Sequence, residues 1–345
     1  MTRVIRMVML LCLLAPAASG WATEELRILS GGHIIPPAVV EAFEKKHHLR
    51  IRIESFDSHE TLAAYLETDP QGDLALLRGH HVSYLRERNR LAPVNHALLP
   101  NLKNLWPQAL NSPVDAGAAY SVPYLQGTLG LLYRRDLFGG RKPGWNSLFD
   151  RRAAVTPFAV TDQYRDAMGV ALLYLGYSYN NPSPAALGRA AEALQGLAGH
   201  PAFMGFLSVE SLGRFVREQF IYLAVTYNNV AARAIEDDPS LAFNVPEHGA
   251  VSWTYAFVIN KKSRNLEAVH QWLNYLLEPE VAAEVSAWNR AASPNRAALA
   301  FIPDGIKSNT VIYPPNELLY KAQAPLSLGA EAEKQMTEYW SNINR

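Results

Sequence analysis

Two long β-prone runs interrupt a chain that otherwise alternates short strands with helices. The first run, at 120–133, reads YSVPYLQGTLGLLY, and the second, at 251–260, reads VSWTYAFVIN. Both contain aromatic and β-branched residues, and neither has the period of a helix. We predict that they cross between two α/β lobes, one near residue 125 and the other near residue 253. A cleft between two lobes is a favoured site for a small ligand.

The stretch 26–57 predicts one β-α-β unit at the start of the first lobe. Leu26–Leu29 is a short apolar strand, Pro36 and Pro37 favour the first turn of a helix, and 49–56 alternates as a second strand. Between the first strand and the helix lies the turn Ser30–His33. Ligands bind at the carboxyl ends of parallel strands, so we expect this turn to face the cleft.

The first 22 residues have the pattern of a secretory signal peptide. Two arginines precede the apolar run Met7–Ala18, and Gly20-Trp21-Ala22 fits a small-x-small cleavage site. An N-terminal membrane anchor is the alternative. The only cysteine, Cys12, lies inside this segment, so the mature chain would have no thiol for a disulfide, for catalysis or for a metal. We therefore predict an exported, periplasmic protein.

Composition and motifs limit the classes of function. The chain has 345 residues, enough for two domains, and its formal net charge of zero gives no indication of nucleic acid as a partner. The sequence contains no G-x-S-x-G, H-E-x-x-H, Walker or dinucleotide-binding motif. The pairs His47-His48 and His80-His81 lack the i, i+4 spacing of metal ligands, and no acid cluster accompanies them in the sequence. We predict that the protein is not an enzyme and has neither a cofactor nor a metal.

A set of short anchors then places the chain in a family. The anchors are Ile35-Pro36-Pro37 with Phe43, Asp57–Thr61, Gly72-Asp73-Leu74, Tyr120–Tyr124 with Gly127, Leu175–Ser178, Asn228-Asn229 with Ala231–Arg233, Trp253, and Ser293-Pro294-Asn295. Their order and spacing, over nearly the whole mature chain, resemble the bacterial periplasmic polyamine-binding proteins, which are the spermidine and putrescine receptors of ABC importers.

The resemblance implies an α/β protein with the type II periplasmic binding protein fold. In that fold, two lobes are joined by two crossing strands, and a ligand cleft lies between them. With the signal peptide at 1–22, we predict a first lobe of residues 23–125 plus 254–302. The second lobe is predicted as residues 126–253 plus 303–345. The expected partners are a small polyamine-like ligand and an inner-membrane ABC permease, and the protein is expected to be a monomer.

The resemblance also implies where the ligand binds. The seven predicted ligand-binding residues are Trp253, Tyr227, Tyr255, Asp166, Gln163, His81 and His33. A polyamine needs aromatic faces for its methylene chain and carboxylates for its ammonium groups. Trp253 would stack on the chain and Asp166 would hold one ammonium group. The other member of the family's acidic pair falls on Gln163, and the adjacent Asp162 could substitute for it or cap a helix.

Other interpretations remain open at this stage. Trp253 and Tyr227 could be core aromatics, and Asp166 could be a solvated helix residue or a partner of Arg165. The same fold could signal to a membrane sensor instead of supplying a permease. The ligand could also belong to another class, such as an anion or a metal near Arg78, His33 and His81.

Overall fold

The computed structural model describes residues 25–68, 70–150, 156–247 and 249–343. The predicted signal peptide at 1–22 lies outside these residues. Among the residues described, no helix is both long enough and apolar enough to cross a membrane.

The strands and helices alternate along most of the chain. The strands are β1 (Glu25–Ser30), β2 (Arg50–Ser55), β3 (Leu74–Arg78), β4 (Leu91–Ala92), β5 (Asn111–Ser112), β6 (Asp115–Ala116), β7 (Ser121–Arg134), β8 (Phe158–Thr161), β9 (Phe203–Leu207), β10 (Leu223–Tyr227), β11 (Leu241–Asn244) and β12 (Val251–Asn260). The helices are α1 (Pro37–His47), α2 (His59–Glu67), α3 (Gly79–Glu87), α4 (Pro107–Leu110), α5 (Asn146–Phe149), α6 (Tyr164–Tyr174), α7 (Pro184–Ala198), α8 (Val209–Arg217), α9 (Asn228–Asp237), α10 (Leu266–Leu276), α11 (Pro279–Asn289), α12 (Asp304–Lys307), α13 (Asn316–Lys321) and α14 (Ala330–Ile343).

One long sheet connects the two lobes. Its strand order is β2-β1-β3-β12-β7-β10-β8-β9, with β11 beside β7 and β4 beside β12. The first-lobe strands β1, β2 and β3 are parallel, and so are β8 and β10 in the second lobe. At the centre, β7 and β12 run antiparallel to each other and pair with strands of both lobes. The predicted α/β fold with two crossing strands is confirmed.

A register shift in the β7–β12 pair lies between Tyr255 and Ala256. Such an irregularity bends a strand and turns its side chains to a new direction. It falls next to the predicted lobe boundary at residues 253 and 254. The exact division into two discontinuous lobes stays a prediction.

The first β-α-β unit forms as its sequence pattern predicts. Helix α1 begins after Pro36 and buries Val39 and Phe43, and His48 ends it in the left-handed conformation with φ 57°. The Phe43 ring packs on the rings of Trp272 and Tyr275 of α10. Gly31 follows β1 directly. A β-carbon at Gly31 would lie 2.5 Å from Nδ1 of His59, so only glycine lets the turn pass this ring.

Candidate ligand-binding cleft

A cleft of about 910 Å³ lies between the two lobes. The first lobe contributes the turn 31–34 and the start of α2 at 57–59. The second lobe contributes residues 162–163 and positions along α8 and α9. The turn after β1 therefore faces the cleft, as the position of this turn at a strand end predicts.

Three aromatic side chains from β10 and β12 form one wall of the cleft. The ring centroids of Tyr227 and Trp253 are 6.1 Å apart, and those of Trp253 and Tyr255 are 5.0 Å apart. The Tyr255 ring stacks on His59 at 4.8 Å. The indole Nε1 of Trp253 donates a hydrogen bond of 3.2 Å to a backbone carbonyl of β7, which holds the ring in place. A β-carbon at Gly127 would lie 2.4 Å from this indole, so the wall depends on that glycine.

The floor of the cleft is closed by an ion pair between the lobes. Arg78, the last residue of β3, donates two parallel hydrogen bonds of 2.8 and 2.9 Å to the carboxylate of Asp166 on α6. The side chain of Arg78 is 3% exposed and that of Asp166 is fully buried. The hydroxyls of Tyr179 and Tyr227 donate to the same carboxylate. Each oxygen of Asp166 therefore accepts two hydrogen bonds from the protein itself.

The protonation states of this cluster follow from burial and charge. Burial alone would raise the pKa of Asp166, but the charge and hydrogen bonds of the Arg78 guanidinium, together with the hydroxyls of Tyr179 and Tyr227, lower it below its usual value. Burial and the Asp166 charge raise the pKa of the Tyr179 hydroxyl well above its ordinary value. Burial likewise raises the pKa of Tyr227, against the effect of Arg78. The carboxylate is ionised, both phenols stay protonated, and the ion pair is neutral overall.

The lowered pKa of Asp166 predicts a specific acid sensitivity. An unfolded carboxyl group takes up its proton near the ordinary pKa of 3.8, before the folded one does. The contribution of Asp166 to the free energy of unfolding is therefore complete above this pKa and is lost as the pH falls through the lower folded pKa. Urea unfolding at a series of pH values from pH 5 down to pH 2 measures this loss. In Arg78→Met, burial should raise the folded pKa and reverse the slope, so identical slopes in both proteins would contradict the assignment.

The structure brings most of the predicted ligand-binding residues to the cleft. Tyr227, Trp253, Tyr255, Gln163 and His33 line it. Their role in binding stays a prediction.

Two predicted positions lie elsewhere. Asp166 is buried behind Arg78, and it is neither a solvated helix residue nor a partner of Arg165, which bonds instead to Tyr179 and Asn180. His81 lies below the cleft surface, next to Glu60. The sequence analysis named Arg78 only as a residue near a possible anion or metal ligand, and it did not predict the ion pair with Asp166. An arginine at the end of an apolar strand is the signal that could have identified Arg78 as a site residue.

Other carboxylates in the cleft remain available to a cation. Asp57, Asp162 and Glu210 line it, and none of the three has an ion-pair partner within the described part of the chain. Asp162 accepts one hydrogen bond of 2.9 Å from the side-chain amide of Gln163. The cleft thus combines an aromatic wall with free negative charge, away from the neutralised Asp166.

A second polar cluster lies in the first lobe beneath the cleft. His80 and His81 begin α3, and Glu60 on α2 faces them, with 3.9 Å between Nε2 of His81 and Oε1 of Glu60. The sequence predicts no acid cluster beside this histidine pair, and the fold brings one carboxylate, Glu60 of α2, next to it. The adjacent His59 is buried, and this burial lowers its pKa to about 3, so its ring is neutral at physiological pH.

Comparison with known proteins decides the family. The family described as bacterial extracellular solute-binding protein matches residues 38–311, which is more than half of the chain. The chain belongs to this family. A solute-binding protein captures a small molecule without transforming it, which agrees with the prediction that this protein is not an enzyme.

Several relatives of this solute-binding protein have known names. This chain is 26% identical to the spermidine/putrescine-binding periplasmic protein of Salmonella typhimurium, over 90% of this chain and 88% of the relative. It is also 26% identical to a putrescine-binding periplasmic protein of Pseudomonas aeruginosa, over 92% and 91% of the two chains. A solved structure from Listeria monocytogenes, described as a spermidine/putrescine ABC transporter, superposes with a TM-score of 0.86 at 28% identity, covering 93% of this chain and 98% of that one. The predicted family resemblance and fold are confirmed.

Proposed function

We propose that this solute-binding protein captures a small amine of the polyamine class in the periplasm and delivers it to an ABC permease. The observation that carries the proposal is the lining of the cleft. The aromatic wall of Tyr227, Trp253 and Tyr255 lies in the same cleft as carboxylates that have no ion-pair partner among the described residues. Aromatic faces attract ammonium groups and the methylenes beside them. The names of the relatives point to the same class of ligand.

The ammonium groups need carboxylates other than Asp166. A cation removed from water must be paired, and both oxygens of Asp166 are already occupied by Arg78, Tyr179 and Tyr227. Asp57, Asp162 and Glu210 are the unpaired carboxylates on the cleft surface. In this arrangement the methylene chain packs on Trp253 and Tyr255, and the charged ends reach toward α2 and α8.

Closure of the two lobes would complete the site. The lobes are joined by β7 and β12, and a pair of crossing strands allows a hinge motion. Closing the cleft removes water from the aromatic wall and strengthens the attraction between the carboxylates and the ligand. The closed form is the one that would dock on the permease.

Calorimetric titration with putrescine, cadaverine, spermidine and spermine tests the proposal. At least one of them should bind, and Trp253→Leu should weaken that binding by roughly two- to thirtyfold, because it removes a desolvated cation–π contact worth up to about 2 kcal/mol. Trp106→Leu is the matched control, since Trp106 is partly exposed and lies outside the cleft. The absence of binding by all four amines would overturn the polyamine assignment.

A second candidate is a ligand that is not a polyamine. Arg78 supports it, because this guanidinium fills the space beside Asp166 where an ammonium group was expected, and Arg214 and Arg233 also line the cleft. A ligand with one cationic and one anionic group would use both signs of charge. Native mass spectrometry of the purified protein would give the mass of a retained ligand. Signalling to a membrane sensor and the monomeric state stay predictions, checked by gene neighbourhood and by light scattering.

A further inference from the structure

Two buried histidines and a half-buried glutamate, residue types that often bind metals, meet in the first lobe outside the cleft lining. Glu60 is in the first turn of α2, and His80 and His81 are in the first turn of α3. Each offers one ligand atom, and these atoms all lie within 4.8 Å of one another. The two helices pack together behind the cleft floor, so the tertiary fold, and not the sequence spacing, assembles the group.

Four polar atoms of this group have no hydrogen-bond partner among the residues that the structure describes. They are both ring nitrogens of His80, Nε2 of His81 and Oε1 of Glu60, and all four are buried. His80 is 2% exposed and His81 is 5% exposed. Buried polar side chains are nearly always hydrogen-bonded, so several unpartnered atoms that face one another indicate that something else occupies the space between them.

The donor set matches one class of ligand. Two imidazole nitrogens and one carboxylate oxygen suit zinc and its neighbours among the divalent transition metals. Zinc–ligand distances are about 2.0–2.2 Å, so small side-chain rotations would draw the three donors onto one ion and leave a fourth position open. The guanidinium of Arg78 is nearby, but Asp166 neutralises it and reduces its repulsion of a cation.

We propose that Glu60, His80 and His81 form a binding site for a divalent transition metal of the zinc class. The side chain of Glu60 is one-fifth exposed and gives the ion a route to solvent. A bound ion would fasten α2 to α3 and hold the neighbouring His59, which stacks on Tyr255 of the cleft wall. None of the three residues lines the cleft, so the existence of the metal site does not depend on the proposed amine binding.

Titration of the untagged, chelator-treated protein with zinc chloride by calorimetry tests this site. We expect one equivalent of zinc to bind, the visible absorption bands of imidazole-ligated cobalt on cobalt addition, and a higher unfolding temperature with metal. His80→Gln, His81→Gln and Glu60→Gln should each weaken zinc binding at least about tenfold, since even indirect contacts to a metal contribute 10–100-fold. Glu60→Gln keeps the test valid if a histidine variant does not fold, because its side chain is the most exposed of the three.

The second histidine pair offers a matched control. His47 and His48 are also adjacent and lie in the same lobe, at the end of α1. His47→Gln/His48→Gln should leave the zinc affinity and the cobalt spectrum unchanged. Two results would overturn the proposal: no metal binding by the wild-type protein, or a zinc affinity and a cobalt spectrum that stay unchanged in His80→Gln/His81→Gln.

Discussion

Arg78→Met should lower the free energy of unfolding by about 3–5 kcal/mol, the usual cost of removing one partner from a buried ion pair. The physical reason is that Asp166 would remain fully buried with its negative charge uncompensated. Tyr179 and Tyr227 would still donate to the carboxylate, but a hydroxyl cannot neutralise it. Urea unfolding followed by tryptophan fluorescence at pH 7 measures the change.

Two further variants distinguish the stability lost by breaking the buried ion pair from the stability lost by removing any arginine. Arg27 forms an ion pair of 3.2 Å with Glu54, in which the two side chains are 32% and 42% exposed. Arg27→Met should therefore cost less than about 1 kcal/mol. Arg78→Met/Asp166→Leu should recover most of the stability, because replacing both members of a buried pair by apolar groups is often close to neutral. Equal losses for Arg78→Met and Arg27→Met would contradict this account.

Arg78→Ala should bind a diamine such as putrescine more tightly than the wild-type protein does. Removing the guanidinium opens space next to an ionised carboxylate and two tyrosine hydroxyls, which together can accept an ammonium group. A hydrogen bond to a charged group contributes about 1.5–3 kcal/mol, so the gain should be roughly 10–100-fold in affinity. Calorimetric titration of both proteins measures it, and bound putrescine should also restore part of the stability that Arg78→Ala loses.

The gain must depend on Asp166 if an ammonium group replaces the guanidinium. Arg78→Ala/Asp166→Asn keeps the new space but removes the charge, and it should show no gain. Arg78→Met fills the space with an apolar side chain and should show little gain. If the diamine affinity of Arg78→Ala equals that of the wild-type protein, or if the double variant keeps the gain, Arg78 does not occupy an ammonium position.

Local patterns in the sequence predicted the strands, the helices and the two crossing runs, and the resemblance to a known family supplied the type II periplasmic binding protein fold. These patterns depend only on residues that are near neighbours in the chain: the apolar spacing of α1, the prolines at its start and the two extended runs. Helix α1 and strands β7 and β12 form where these patterns predict them. The aromatic wall of Tyr227, Trp253 and Tyr255 was predicted from the family resemblance, because residue type alone does not distinguish cleft aromatics from core aromatics.

Only the tertiary structure decided which charged and polar side chains are partners of one another. Arg78 and Asp166 are 88 residues apart and belong to different lobes, so no local pattern links them. Glu60 meets His80 and His81 because two separate helices start side by side at the edge of one sheet. Electrostatic partners depend on distance in space and on burial, which a local sequence pattern does not contain. In this protein the two lobes bring Arg78 to Asp166, so the carboxylate that was predicted to bind a ligand is part of an ion pair at the cleft floor.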